Sequence, residues 1–473
     1  MFSESVDALS LIIHEVLTAS INGKMEEETV VDLSAKLYHA VHSNNCGELQ
    51  ELIDNGADVN QFFDDLSHRK AILHFACANG RTDCVRVLLN NGASVNVKDK
   101  WRMTPFMYCI STSNYEIAQM LLQMDPETVH SQDTNGKSAL HVAVGYGLED
   151  ATRFLLRMGA NVNVQDFNGY SPIMSLMAAK DVDNYFTLMK ILIEAGANIH
   201  LQDFRDQRTS LHLAVISKKV DAVKLLLDLN ADPNHLDTAG KTPLINLLDY
   251  HFSIYQLRPP VKDDVMTIAV LLTHAGTEMN IMTKYEGEYC NPLIMVTQVK
   301  CHQLIRLFLE HGANVNVKIP FSNETPLMIA VKNGDIDAIR IFLEWNCKLN
   351  IIGKCRIVRE YNDYVEFSVD PFELAISQGH FNEVCLMILA GYNVSKFAYL
   401  RDSCIEDDDI PSSLRNNHEM LDFLRNCGSR PDSLGKLCTL IIFKSIKSDI
   451  SNKVELLPLP STIKRYLKYY YSN

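Results

Sequence analysis

The sequence predicts an all-α chain made by stacking one small helical unit many times, and three observations carry that expectation. Apolar anchor residues return at a near-constant spacing, a hydroxyl or Thr-Pro cap precedes many of them, and Gly-Ala closes many of the units. The anchors are Leu37, Leu73, Phe106, Leu140, Ile173, Leu211, Leu244, Leu293, Leu327 and Phe372. Their separations are 36, 33, 34, 33, 38, 33, 49, 34 and 45 residues. A base period of about 33 is thus broken by occasional insertions.

Each unit can be read from its residues. Thr104-Pro105, Thr242-Pro243 and Thr325-Pro326 place a capping hydroxyl before a proline, in the first turn where a missing N–H costs nothing. A short apolar helix follows and stops near glycine, at Gly80, Gly147, Gly334 and Gly379. A second helix carries an apolar face such as Val85, Leu88 and Leu89, then ends at Gly92-Ala93, Gly159-Ala160 or Gly312-Ala313. A polar turn rich in Asp and Asn leads to the next unit. Two short helices cannot bury their apolar faces alone, so neighbours must stack into a solenoid. These units resemble the ankyrin repeat nearly position by position, and about ten of them cover residues 37–397.

His74, His141 and His212 recur at one place in the unit. That periodicity fits a ring hydrogen-bonding adjacent turns rather than metal or acid–base chemistry. His39 and His42 form an H-x-x-H spacing with no third ligand, which suits a solvated face. Insertions lengthen the fifth unit at Lys180–Tyr185 and the seventh at Tyr250–Asp264, where Pro259-Pro260 forbid helix. Between the ninth and tenth, Gly353–Ser368 alternates as an extended hairpin would, although plain loop growth is also tolerated at a surface. Whether 251–265 and 353–368 touch a partner is open. Residues 1–36 are expected to cap one end. Residues 398–432 hold the acidic run Glu406–Asp409 and then an amphipathic half-unit that would cap the other.

Composition narrows the function. No stretch approaches the roughly 20 apolar residues of a membrane helix. The acidic start, and the run Leu9–Leu17 broken by His14 and Glu15, do not read as a secretory signal. The 12 cysteines are scattered singly from Cys46 to Cys438 without a C-x-x-C pair, so free thiols in the cytoplasm or nucleus are expected. A net charge of -14 argues against nucleic acid as a partner. Residues 433–473 nevertheless hold seven Lys/Arg against two Asp/Glu, a net of +5 that leaves -19 for the remainder. Two surfaces for two partners are implied, the acidic body favouring a basic segment.

The tail departs from the repeat. Ser433 caps an apolar helix whose Leu434, Leu437, Cys438, Ile441, Ile442 and Ser445 share one face. Leu457-Pro458-Leu459-Pro460 then makes a rigid turn into a final helix from Ser461. This tail resembles a SOCS box. Ser433, Leu434, Cys438 and Ile442 match the elongin-binding half, while Val454, Leu457, Pro458, Leu459, Pro460, Ile463, Tyr466 and Leu467 match the cullin-binding half in order. Array and tail together resemble the ankyrin repeat and SOCS box family. The resemblance implies a small three-helix SOCS box at 433–473. It also implies elongin B and elongin C as partners of Leu434, Leu437, Cys438, Ile441 and Ile442. Cullin-5 with its RING subunit would meet Leu457, Pro458, Leu459, Pro460 and Ile463, and the array would hold an unidentified protein for ubiquitination. Two features depart from many relatives: no arginine follows soon after Cys438, and the spacer Lys447–Lys453 is short and polar. A tail helix that merely caps the array is the competing reading.

No nucleophile elbow, Gly-rich phosphate loop or H-E-x-x-H motif occurs, so neither catalytic residues nor cofactor are expected and ubiquitin chemistry would belong to recruited subunits. Turn positions carrying Trp101 and Arg102, Phe167 and Tyr170, and Phe204 and Arg205 are the candidates for substrate contact, since exposed Trp, Tyr and Arg are hot-spot types. Phe167 and Phe204 could instead pack on neighbouring turns.

Overall fold

The structure is a computed structural model that describes residues 28–63, 69–180, 182–254, 263–285, 288–359, 363–397, 412–415 and 417–429. The chain divides into two compact units, residues 1–231 and 232–473. The tail candidates Leu434 to Ile463, together with Glu406–Asp409, Pro259-Pro260 and most of 1–36, lie outside the described residues.

In the first unit helices pair in chain order. α1 (Glu28–His42) packs on α2 (Cys46–Asp54), α3 (Ile72–Ala78) on α4 (Thr82–Asn90), and α5 (Pro105–Ser111) on α6 (Tyr115–Met124). α7 (Ala139–Gly145) packs on α8 (Glu149–Arg157), α9 (Pro172–Ala178) on α10 (Tyr185–Glu194), and α11 (Ser210–Ile216) on α12 (Val220–Asp228). The first helix of each pair also packs on the first helix of the next. The second unit repeats this arrangement. α13 (Pro243–Ile254) pairs with α14 (Asp263–His274), α15 (Pro292–Gln298) with α16 (His302–Glu310), and α17 (Pro326–Lys332) with α18 (Ile336–Glu344). α19 (Pro371–Ser377) pairs with α20 (Phe381–Leu389), and α21 (Ser412–Arg415) with α22 (His418–Ser429).

The periodic anchors are the core. All ten are at most 1% exposed, from Leu37 to Phe372. Burial of a side chain that size is worth about 1.5–3 kcal/mol, so these positions hold the stack. The caps form as the hydroxyls required: Thr104, Thr242 and Thr325 Oγ1 accept from the N–H of Met107, Ile245 and Met328 at 3.4, 3.3 and 3.4 Å. Asparagines stitch neighbours. Asn163 Nδ2 donates to the Gly196 carbonyl and its Oδ1 accepts from Asn198 N–H at 2.7 Å. Asn234 does the same to Gly276 and Glu278 in the second unit, as Asn280 does to Gly312 and Asn314.

Several details differ from the sequence reading. Tyr250–Ile254, expected in an insertion, continue α13, because no Gly or Pro interrupts them and His251 and Phe252 are buried. Two short hairpins were not foreseen: β1 (Phe62–Phe63) pairs with β2 (Lys70–Ala71), and β3 (Thr283–Tyr285) with β4 (Glu288–Cys290), both antiparallel. The alternating segment does form a hairpin, β5 (Gly353–Arg359) against β6 (Asp363–Val369), with Gly353 opposite Val369. In the fifth pair α9 ends at Ala178 without glycine, and Lys219 Nζ reaches across to donate to the carbonyls of Leu176 and Ala179 at 2.6 and 2.7 Å. Burial brings that ammonium down to about 8.

Two glycines with the same backbone conformation test the stacking. Gly159 (φ 86°) and Gly169 (φ 85°) are both left-handed, but a Cβ at Gly159 meets nothing within 4 Å, whereas at Gly169 it meets the Phe204 nitrogen at 2.4 Å. Gly159→Ala should cost about 1–2 kcal/mol, the left-handed penalty alone. Gly169→Ala should cost clearly more, because the next turn must move. Urea midpoints of the two variants check this; equal shifts would contradict the close approach.

Candidate protein-interaction surface

The turns between helix pairs are held by hydrogen bonds to buried and half-buried side chains. His74 Nδ1 accepts the Ala71 N–H at 3.1 Å, and its other nitrogen lies 3.0 Å from the Met103 carbonyl in the next turn. His141 repeats this with Ser138 N–H at 3.1 Å and the Tyr170 carbonyl at 2.8 Å. A carbonyl can only accept, so Nε2 carries the proton in both rings. His212 accepts from Thr209 N–H at 3.2 Å. Burial is the main reason that His74 and His141 titrate below 6.5, so both stay neutral at physiological pH. The recurring histidine is a tie between turns, as its periodicity implied. His39 and His42 lie exposed on α1.

A carboxylate organises most of these turns. Asp166 Oδ1 accepts from Asn168 and Tyr170 N–H, both at 2.9 Å, and Asp99 Oδ1 from Trp101 and Met103 N–H at 2.9 and 2.8 Å. Asp203 takes Arg205, Asp206 and Arg208 N–H. Asp99 also takes the Tyr108 hydroxyl at 2.8 Å; burial and then that carboxylate push the phenol well above its usual value. Consecutive turns are joined through the backbone. Thr134 N–H donates to the Trp101 carbonyl at 2.8 Å, Phe167 N–H to Asn135 at 2.9 Å, and Phe204 N–H to Asn168 at 2.9 Å.

With backbone and acids used inward, the remaining side chains face solvent. Trp101 is 39% exposed, Phe167 62% and Phe204 66%. Phe167 and Phe204 stand on successive turns, each ring close over the glycine of the turn before, Gly136 or Gly169. They therefore do pack on their neighbours and still leave most of their surface free. Trp101 lies two turns before Phe167, and the turn between them, Asp133–Lys137, offers no ring. Arg102 and Arg205 are exposed. Tyr170 is only half-buried, bonded through its carbonyl, with its hydroxyl raised chiefly by burial.

Sequence reasoning missed Phe321, 83% exposed in the second unit with its ring 6.0 Å from that of Tyr289. It lies five residues before Pro326, as Phe167 lies five before Pro172, so turn counting could have found it. Lys98, Lys100 and Lys137 were also passed over, and all three are exposed. Among the described residues no group of three or more His, Cys, Asp or Glu is placed to hold a metal ion, and no helix is long and apolar enough to cross a membrane. The surface offers rings and cations suited to holding another protein.

Comparison with known proteins agrees. The family of ankyrin repeats (3 copies) matches residues 37–133, 73–166, 124–203, 175–251 and 262–352. The chain is similar to Ankyrin repeat and SOCS box protein 16 of Mus musculus, 30% identical over 206 residues, 43% of this chain and 44% of that protein. It is similar to Probable E3 ubiquitin-protein ligase XBOS33 of Oryza sativa subsp. japonica, 30% identical over 174 residues, covering 34% and 31%. It is also similar to Putative palmitoyltransferase ZDHHC13 of Danio rerio, 28% identical over 198 residues, covering 41% and 29%. The matched region thus spans less than half the length of each of these relatives.

The neutral histidines make stability pH-dependent. Their folded pKa lies below 6.5, so the unfolded chain binds more protons as pH falls, and stability present above 6.5 is lost below it. His141→Ala should lower stability by about 1–3 kcal/mol, since the buried Ser138 N–H loses its partner and the Tyr170 carbonyl is left with the Asp166 N–H alone. It should also flatten the fall between pH 7.5 and 5. Urea midpoints at the two pH values read both effects, and an unchanged slope would contradict the neutral tie.

Proposed function

The chain belongs to the ankyrin-repeat family, and from that premise we propose that it is the substrate-recognition adaptor of a cullin-RING ubiquitin ligase. In this reading residues 433–473 form a SOCS box that recruits elongin B, elongin C and cullin-5 with its RING subunit, while the repeats hold the protein to be ubiquitinated. The chain itself is non-catalytic. It raises the local concentration of target lysines at a recruited active site.

One observation carries the reading: two adjacent motifs in the tail, Ser433-Leu434 with Cys438 and Ile442, then Leu457-Pro458-Leu459-Pro460 with Ile463, behind a repeat array. Either motif alone would be weak. Relatives whose names carry a SOCS box or a ubiquitin ligase activity support it, each over part of its length. The physical logic is helix-in-groove recognition. In a helix Leu434 and Cys438 would lie one turn apart, and a small Cys438 would enter where a larger side chain would clash. The competing reading, a scaffold whose tail covers the end of the repeats, leaves the Leu-Pro-Leu-Pro element without a purpose.

Burying a leucine is worth about 1.5–3 kcal/mol, and 1.4 kcal/mol is about tenfold in affinity. Leu434→Ala should therefore weaken elongin B/C binding about tenfold or more, and Leu434→Pro combined with Cys438→Phe should abolish it in a pull-down. Full retention of elongin by the double variant would favour the scaffold.

A further inference from the structure

We propose that the turn edge of the first unit, from Lys98 to Arg208, docks an extended acidic protein segment that carries aromatic or apolar residues. The inference rests on the repeats being the part that holds cargo, but not on what the tail recruits. Net charge of the whole chain, at -14, points to a basic partner instead. The distribution of charge in the turns reverses that expectation.

Acids and cations separate by depth there. Asp99, Asp166 and Asp203 are 5%, 1% and 2% exposed, and each carboxylate is taken up by two or more backbone N–H groups. Asp133 is half-buried and accepts from Asn135 and Lys137 N–H at 2.7 and 2.8 Å. Asp206 is paired with Arg208 at 3.2 Å. Facing outward are Lys98, Lys100, Arg102, Lys137 and Arg205, all exposed and without an ion pair among the described residues. Trp101, Phe167 and Phe204 stand between them, and the backbone ladder of Thr134, Phe167 and Phe204 fixes their order. Cations interleaved with rings on one edge fit a segment whose carboxylates alternate with apolar side chains.

Arg102 strengthens the assignment. Its φ is 60°, in the left-handed region, at the turn position that Gly136 and Gly169 occupy elsewhere. An arginine there is strained where glycine would be relaxed, and what it adds is an outward cation beside Trp101. Nucleic acid is the weaker fit: a dense phosphate backbone would meet the negative field of the whole chain, whereas a short acidic segment meets only the edge.

Fluorescence anisotropy on the intact chain tests this, with a labelled glutamate–tyrosine copolymer as probe and lysine–tyrosine copolymer and oligothymidylate of similar length as comparators. The acidic copolymer should bind best, more weakly as salt rises. The triple variant Lys98→Glu, Lys100→Glu, Arg102→Glu should lose about tenfold or more. Arg102→Gly should weaken binding while its melting temperature holds or rises, which separates lost contact from lost fold even if the triple variant misfolds. Unchanged affinity in Arg102→Gly and the triple variant, preference for the basic copolymer, or tighter binding of oligothymidylate would overturn the proposal. An elongin pull-down on the same variants keeps the two readings apart. Lost copolymer binding with elongin retained is what an edge site separate from the tail requires, and missing elongin with an intact edge sinks only the ligase reading.

Discussion

A helix of seven residues lying against one of nine or ten is too short to bury its own apolar face, and everything else in this protein follows from that shortage. α5 and α6 show it: Phe106, Met107 and Ile110 on one helix, Ile117, Ala118 and Leu121 on the other, are all at most 1% exposed, and α3 and α7 help to cover them. Stability is therefore shared between neighbours, and the coupling between units falls off with their separation along the chain. A unit with a poor face weakens the units beside it, which is why the anchor position tolerates leucine, isoleucine or phenylalanine but is polar nowhere.

Stacking also decides which groups remain for binding. At Gly136 and Gly169 the next turn approaches so closely that a Cβ would not fit beneath it, and most polar groups there serve to hold that approach. Histidine rings tie turn to turn, asparagines clamp Gly-Ala to Gly-Ala, and aspartates gather the loop N–H groups. What is left over is side chains whose backbone is fixed and whose tips reach solvent. Such a surface is pre-organised, and ordering it costs little when a partner arrives. The same inward economy turns a row of acidic turns into a cationic edge.

Much of this was legible from residues alone. The anchors, caps, terminating glycines and histidine ties recur, so each is checked several times within one chain. Departures were harder to see. Pro320 replaces the usual turn aspartate, so the turn that carries Phe321 does not share the pattern of its neighbours. Pro259-Pro260 forbid helix only near themselves, so Tyr250–Ile254, read as part of the same insertion, extend the helix through buried His251 and Phe252. The three-residue strands β3 and β4 are too short to show an alternation. Outward lysines carry no sequence signature at all, since their importance comes from the aspartates turning away. The tail motifs, by contrast, are read from residue types alone.

The proposed function is a division of labour: repeats for cargo, tail for recruitment. Amide hydrogen exchange of the full chain with and without elongin B/C measures it directly. Protection should be confined to residues 433–473, with exchange unaltered through the turns at 98–104, 132–138, 165–171 and 202–209. New protection spreading into those turns would mean that the recruited subunits occupy the surface assigned to cargo, and the division would fail.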